Sequence, residues 1–411
     1  MARSPTLADV KTPAADRWWQ VALACVVAVP VVLVFWRQAP TVLAGVAGLA
    51  VLMVALSLPS RRLMVASIRS MVSSPLGIVV IVALAYMALS ANWSLAPDRA
   101  MGHWWDVLLI SLLVLGMVAV VRQHRPDPSP LWLPVAMALA AVLVLINVAS
   151  GSALNGALGF GTEIFRLNRA AVALVLFAPL AVALLARAKG RNLGFGLLAL
   201  LGVAVFAADS QSAKLALVCM LLAAPAALYA PRTSHRVIGL LAILALLVTP
   251  LVVGFANELV PSAVHAHVGY STLTVRGEMW REFAAFVWQR PWFGYGLEST
   301  AVIVDTPLAA GLSTHGRQVI GLLHPHNAPL QVWVELGAIG ALLWAAGVFL
   351  AFRAMETLGA RDLPIATLTA TGVFVVACVS HGAWQDWWWS LVGLVVFAFA
   401  MIFASRPSGQ R

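Results

Sequence analysis

About twelve stretches of this 411-residue chain are long and apolar enough to cross a lipid bilayer, at approximately 20–36, 41–58, 76–91, 105–121, 131–149, 170–186, 192–208, 215–230, 237–256, 333–352, 364–380 and 387–404. A helix needs roughly 20 predominantly apolar residues to span the hydrocarbon core. In that core every backbone polar group must be satisfied inside its own segment, which restricts such a chain to a helical bundle. Only 10% of the residues are charged, against about 25% in a soluble domain. The expected fold class is an all-α integral membrane protein with about 12 transmembrane helices.

The first span is flanked by Arg17 and Arg37 and is followed at once by another, so it reads as a retained helix rather than a cleaved signal. Ala22-Leu23-Ala24-Cys25 has a faint likeness to a lipoprotein site but lies in the middle of the apolar run. Cytoplasmic loops are enriched in Lys and Arg. With the N-terminus inside, 17 of the 26 basic residues fall on the cytoplasmic side, and both termini are expected there. Arg37, Arg99, Arg166, Arg169, Lys214, Arg276, Arg281, Arg290 and Arg317 fall outside and need another reason to be there. The net charge of +10 follows mainly from the cytoplasmic bias and suits anionic membrane lipid. No basic run alternates with aromatics, which sets nucleic acid aside. Cys25, Cys219 and Cys378 lie inside predicted spans and offer neither a disulfide framework nor metal spacing.

Three regions follow: nine spans over 1–256, a long external loop over 257–332, and three spans with a short cytoplasmic tail over 333–411. Within the loop, Arg276, Met279, Trp280, Phe283, Phe286 and Val287 recur at helical spacing, with Glu278, Arg281, Glu282 and Gln289 on the other face. Such an amphipathic helix is expected to lie on the membrane surface and to end at Arg290-Pro291. Arg276 shares the angular position of Trp280 and Phe283, so it points toward the bundle, a costly orientation without an anionic partner. Trp104, Trp105, Trp387, Trp388 and Trp389 sit at external span ends and read as interfacial aromatic belts.

Chemistry is concentrated in Leu323-His324-Pro325-His326-Asn327-Ala328-Pro329, just before the tenth span and its Glu335-Leu336-Gly337. Pro325 favours an extended backbone at its neighbour, so the His324 and His326 side chains are expected on opposite sides, favouring one working imidazole over a chelate. Asn327 is a natural N-cap with Pro329 in the first helical turn. His326 then faces the positive end of a helix dipole, which disfavours its cation and leaves a neutral imidazole able to accept a proton. The competing reading is that His326 only caps a helix at the interface. A metal site drawn from His315, His324, His326, Glu298 and Asp305 lacks ligand spacing.

Arg166, Arg169, Lys214 and Arg276 form a cationic set at external span ends or on the surface helix. Guanidinium forks and an ammonium suit phosphate oxygens; against this stands pairing with Glu163 and Asp209 or snorkelling to lipid headgroups. The chain has neither a P-loop nor a dinucleotide fingerprint, so no nucleotide and no cofactor are expected.

Four places resemble the O-antigen ligase and polymerase superfamily of bacterial membrane glycosyltransferases. They are residues 93–100 (Trp-Ser-Leu-Ala-Pro-Asp-Arg-Ala), Leu167-Asn168-Arg169-Ala170, Arg276 with Trp280 and then residues 291–296 (Pro-Trp-Phe-Gly-Tyr-Gly), and His324-Pro325-His326-Asn327 through Gly337. The resemblance implies a helical bundle of the GT-C type with a periplasmic loop, in the bacterial inner membrane. It implies a donor glycan on undecaprenyl diphosphate, a lipid A-core acceptor, and no metal or nucleotide sugar. It makes His326 the essential histidine, with Arg276 catalytic beside it. Arg276, Lys214, Arg169 and Arg166 would hold the diphosphate, with His324, Asn327 and Trp280 in support. Lys214 stands where such proteins often carry arginine. The activity this implies is an O-antigen ligase. The alternatives are an O-antigen polymerase using the same class of donor, a protein-glycosylating relative, and, in a different class, a secondary transporter with charges along its path.

Overall fold

The computed structural model describes residues 13–57, 61–124, 128–259 and 272–404. Of the basic residues used to orient the chain, Arg3, Lys11, Arg125, Arg406 and Arg411 lie outside the described residues, as does the 260–271 part of the long loop. The architecture is all-α. The helices are α1 (Pro13–Val32), α2 (Ala39–Ser57), α3 (Arg61–Val72), α4 (Pro75–Ser90), α5 (Pro97–Gln123), α6 (Trp132–Ala149), α7 (Ala153–Ala157), α8 (Asn168–Lys189), α9 (Arg191–Ala207), α10 (Gln211–Tyr229), α11 (Pro231–Val252), α12 (Ala256–Leu259), α13 (Thr272–Gln289), α14 (Thr314–Ile320), α15 (Ala328–Met355), α16 (Leu363–Val379) and α17 (Asp386–Ala404).

Each predicted span coincides with a helix. Ten helical segments among the described residues are long and apolar enough to cross a membrane, while α9 and α16 are apolar but only 17 residues long. Starts are set by local chemistry. The Ser74 hydroxyl accepts from the Gly77 N–H at 3.1 Å with Pro75 in the first turn of α4. Ser210 caps α10, and Asn327 caps α15 by accepting from the Leu330 N–H at 2.9 Å.

Helix α8 is central, with residues 170–178 all buried, because its sequence is apolar on every face. It packs against α9, α6, α16 and α10. A second cluster joins α4, α5, α11 and α15 through Met87, Ala100, Leu246, Val332 and Leu336, with Trp384 packed against them. Large apolar side chains such as Val135, Phe195 and Leu222 stay exposed on the outside of the bundle, as lipid-facing positions require.

The apolar stripe of α13 is not left for the membrane surface. Met279, Phe283, Phe286 and Val287 are buried against Ile303, Val319, Ile320, Leu330 and Val334. The intervening loop folds into a cap of its own, and α13 therefore packs on α14 and α15. The aromatic belt also needs correction. Trp105 is exposed, but Trp387 and Trp388 are 2% exposed and belong to the main core.

Helix α15 is broken at Gly337, whose φ of +63° and ψ of −162° leave the helical region. The groups released by the break are taken up from outside the helix. Tyr295 and Gly296 donate their N–H groups to the Val334 and Glu335 carbonyls at 3.0 and 2.8 Å. The Tyr86 hydroxyl donates to the Leu336 carbonyl at 2.9 Å. Beyond the break, the Ala338 and Ile339 N–H groups donate to the Pro291 and Trp292 carbonyls at 2.8 and 3.3 Å. The proline, aromatic and glycine turn over 291–296 is thus a backbone clamp on a broken span, satisfying groups that lipid cannot.

Candidate active site

Three short segments converge at one end of the bundle: the turn ahead of α15, the link 380–385 between α16 and α17, and the first turns of α13. His326 adopts φ +50° and Leu323 φ +77°. These left-handed residues interrupt the extended backbone expected around Pro325. As a result the His324 and His326 rings come together, with centroids 4.3 Å apart, instead of pointing to opposite sides. The His324 Nδ1 accepts the His326 backbone N–H at 3.3 Å, and its Nε2 lies 3.1 Å from the Gln385 amide nitrogen. Gly382 permits this approach, since a Cβ there would lie 3.2 Å from the His324 ring.

His326 Nδ1 lies 2.8 Å from the Ser380 carbonyl, at the C-terminal end of α16. A carbonyl only accepts, so Nδ1 carries the proton and the neutral ring keeps the Nε2 lone pair free. Burial pushes the His326 pKa below its ordinary value and the Arg276 charge adds to this, against the Ser380 hydrogen bond, which raises it. The lowering matches the sequence expectation, although burial rather than a helix dipole leads it. Burial and the neighbouring His326 push His324 down to about 3. Both imidazoles are neutral at pH 7.

Trp280 fixes this turn by donating its indole N–H to the Pro325 carbonyl at 2.7 Å. Arg276, one turn earlier on the same face of α13, is half-buried and makes no ion pair or hydrogen bond among the described residues. Burial lowers its pKa, yet an arginine starts so high that it remains a cation. An inward cation lacking a carboxylate partner favours an anionic ligand.

The two arginines flanking α8 part company. Arg166 pairs with Glu163 on an exposed loop, which fulfils the local-pairing reading for that residue. Arg169 reaches inward, with its guanidinium 4.3 Å from the centre of the Trp387 ring and an N–H donated to the Arg37 carbonyl at 2.8 Å. Lys214 is half-buried in the first turn of α10, two residues after Ser212, whose hydroxyl donates to Ser380 at 3.0 Å. No hydrogen bond or ion pair joins Lys214 to the histidines, or to Asp209, among the described residues. No cluster of three or more His, Cys, Asp or Glu side chains able to hold a metal occurs among the described residues.

The sequence reading missed the second wall of the site. His381 lies in the 380–385 link with its ring edge on Trp387, centroids 4.4 Å apart, and its pKa is driven well below the ordinary value by burial and then by Arg169. Gln331 accepts the Ala383 N–H at 2.8 Å and donates to Glu335 at 3.0 Å. The fully buried Glu335 carboxylate also accepts from the Glu298 and Thr300 N–H groups at 2.8 and 3.2 Å, the Thr300 hydroxyl and the Trp384 indole. It ties the cap, α15 and the link into one frame. Glu298 itself meets Arg99 at 3.3 Å, and Leu95 donates its N–H to the Ser299 hydroxyl at 3.0 Å. Residues 93–99 therefore dock directly on the cap. The available signal was Ser380-His381, a polar pair between two spans on the same side as His326.

Residues 195–345 match the model of a family described as O-antigen ligase. Proteins named "Putative polysaccharide ligase" from Rickettsia prowazekii (strain Madrid E) and Rickettsia conorii (strain ATCC VR-613 / Malish 7) are each 29% identical, over 112 and 114 residues. One from Rickettsia felis (strain ATCC VR-1525 / URRWXCal2) is 27% identical over 112 residues. Each similarity covers 27% of this chain and 27% of the relative, so the chain spans about a quarter of the length of the curated relatives it matches.

Proposed function

We propose that this chain, which belongs to the O-antigen ligase superfamily, is a metal-independent, inverting glycosyltransferase that moves O-antigen polysaccharide from undecaprenyl diphosphate to a lipid A-core hydroxyl. In this reading the bundle is of the GT-C type and lies in the bacterial inner membrane with both termini cytoplasmic. The 257–332 loop and the active site face the periplasm. The observation that carries it is the His326 ring, whose Nδ1 is held by the Ser380 carbonyl and whose Nε2 is left to accept a proton beside Arg276, which has no carboxylate partner among the described residues.

The acceptor hydroxyl gives its proton to His326 Nε2 as its oxygen attacks the anomeric carbon from the face opposite the diphosphate. The bond from that carbon to the diphosphate oxygen breaks with its electron pair on the oxygen, giving undecaprenyl diphosphate and inverting the anomeric centre. Arg276, Arg169 and Lys214 hold the donor diphosphate and stabilise the charge that develops. A diphosphate already leaves readily, so positioning and charge neutralisation matter more than a strong acid. This suits a site of guanidinium and imidazole groups in which no carboxylate pairs with His326 or Arg276 among the described residues, unlike the two flanking carboxylates of a glycosidase. Arg166, paired with Glu163, has a smaller share.

The test is a lipopolysaccharide gel from the source bacterium lacking the gene, with the lipid-linked glycan extracted in parallel. Loss of O-antigen from lipid A-core with long chains accumulating on the lipid carrier is the expected result. Core capped by a single repeat unit would make the chain a polymerase, and an unchanged ladder would favour a transporter.

A further inference from the structure

His381 has no task in the transfer described above, yet it is built into the site on every side. Its Nδ1 lies 3.2 Å from the Ser380 hydroxyl, its ring is wedged on Trp387, and its Nε2 is shielded from solvent with no hydrogen-bond partner among the described residues. The indole that holds it also carries the Arg169 guanidinium. We propose that His381 is a positioning residue that, through Ser380, holds His326 in its proton-accepting tautomer, an inference that rests on His326 being the base of the proposed transfer.

The chain of contacts runs in one direction. The Ser212 hydroxyl donates to the Ser380 hydroxyl oxygen at 3.0 Å. In the Nε2–H tautomer of His381, the Ser380 O–H donates in turn to His381 Nδ1, 3.2 Å away. Ser380 is thus fixed between α10 and His381, just beyond the last turn of α16, where a helix leaves its carbonyls free. That carbonyl is the one that takes the His326 Nδ1 proton. A ligand or base imidazole whose second nitrogen is held in this way keeps one tautomer and one ring orientation. With Nδ1 accepting, neutral His381 carries its proton on Nε2, which is the atom left without a partner.

The test compares wild type, His381→Phe, His381→Asn, His381→Gln and His326→Ala in lipid nanodiscs, with an undecaprenyl-diphosphate-linked glycan and lipid A-core as substrates. Phenylalanine keeps the ring on Trp387 but has no nitrogen. We expect kcat to fall about 10- to 100-fold with the donor KM changed by less than about twofold. The melting temperature should stay within about 3 °C of wild type, because phenylalanine keeps the ring contact with Trp387. Asparagine, with an oxygen near the Nδ1 position, should restore most of the rate, and glutamine, which reaches the Nε2 position, should not. A His381→Phe rate within about threefold of wild type, a rate that falls only with the melting temperature, or rescue by glutamine alone would overturn this role while His326→Ala still loses transfer. A wild type that transfers nothing would instead overturn the transfer reading and this role together.

Discussion

Replacing Gly337 by alanine should dismantle the clamp on α15, and the structure sets the scale of the effect. A Cβ at this position would sit 2.4 Å from the Trp292 carbonyl carbon and oxygen and 2.6 Å from the Phe293 nitrogen. These are backbone atoms that cannot swing aside. The glycine-only φ/ψ region costs another residue about 1–3 kcal/mol. If the 291–296 turn withdraws, four hydrogen bonds between it and residues 334–339 are lost, at about 1 kcal/mol each. The total is about 6 kcal/mol, comparable to the whole stability of many domains, about 5–15 kcal/mol. In thermal unfolding of the purified protein, Gly337→Ala should melt at least about 10 °C below wild type or fail to accumulate in the membrane. Gly347→Ala is the control, since it lies on the same helix with nothing within 4 Å of its Cβ and should gain about 0.5–1 kcal/mol from helix propensity. A Gly337→Ala protein melting within about 2 °C of wild type would refute the clamp.

Lowering the pH should destabilise the fold. Burial holds His324, His326 and His381 below the ordinary imidazole value. The unfolded chain therefore binds more protons once pH drops below about 6.5, and stability falls with acidification. His324, pushed down to about 3, alone removes about 1.4 kcal/mol between pH 8 and pH 5.5, and melting temperatures flat over this range would contradict the burial. Trp280→Phe keeps the packing but loses the N–H to Pro325; transfer should fall about tenfold through misplacement of the histidine turn, and an unchanged rate would show that the indole does not position it. Arg169→Gln should raise the donor KM about tenfold or more, whereas Arg166→Gln, which breaks an exposed pair worth about 0–1 kcal/mol, should change it by less than about twofold; equal effects would remove the distinction between them.

The helices were legible because span length and apolarity are local properties, and each apolar run coincides with one. The Asn327 cap and the end of α13 near Arg290 were legible for the same reason. The pairing of His324 with His326 was not, since it depends on left-handed backbone at Leu323 and His326 imposed by tertiary contacts such as Trp280 to Pro325. The roles of residues 291–296, Glu335 and His381 were hidden because their partners lie far away in sequence. An aromatic pair at a span end looks the same in the sequence whether it meets lipid or, like Trp387 and Trp388, the core.

The central claim is that His326 accepts the proton of the attacking hydroxyl. It is tested most directly by restoring His326→Ala to cells lacking the gene and measuring transfer per molecule of membrane-inserted protein against wild type. A fall of about 10² or more, with the protein folded and inserted and the lipid-linked glycan accumulating, is the predicted result. Transfer near the wild-type rate would contradict it.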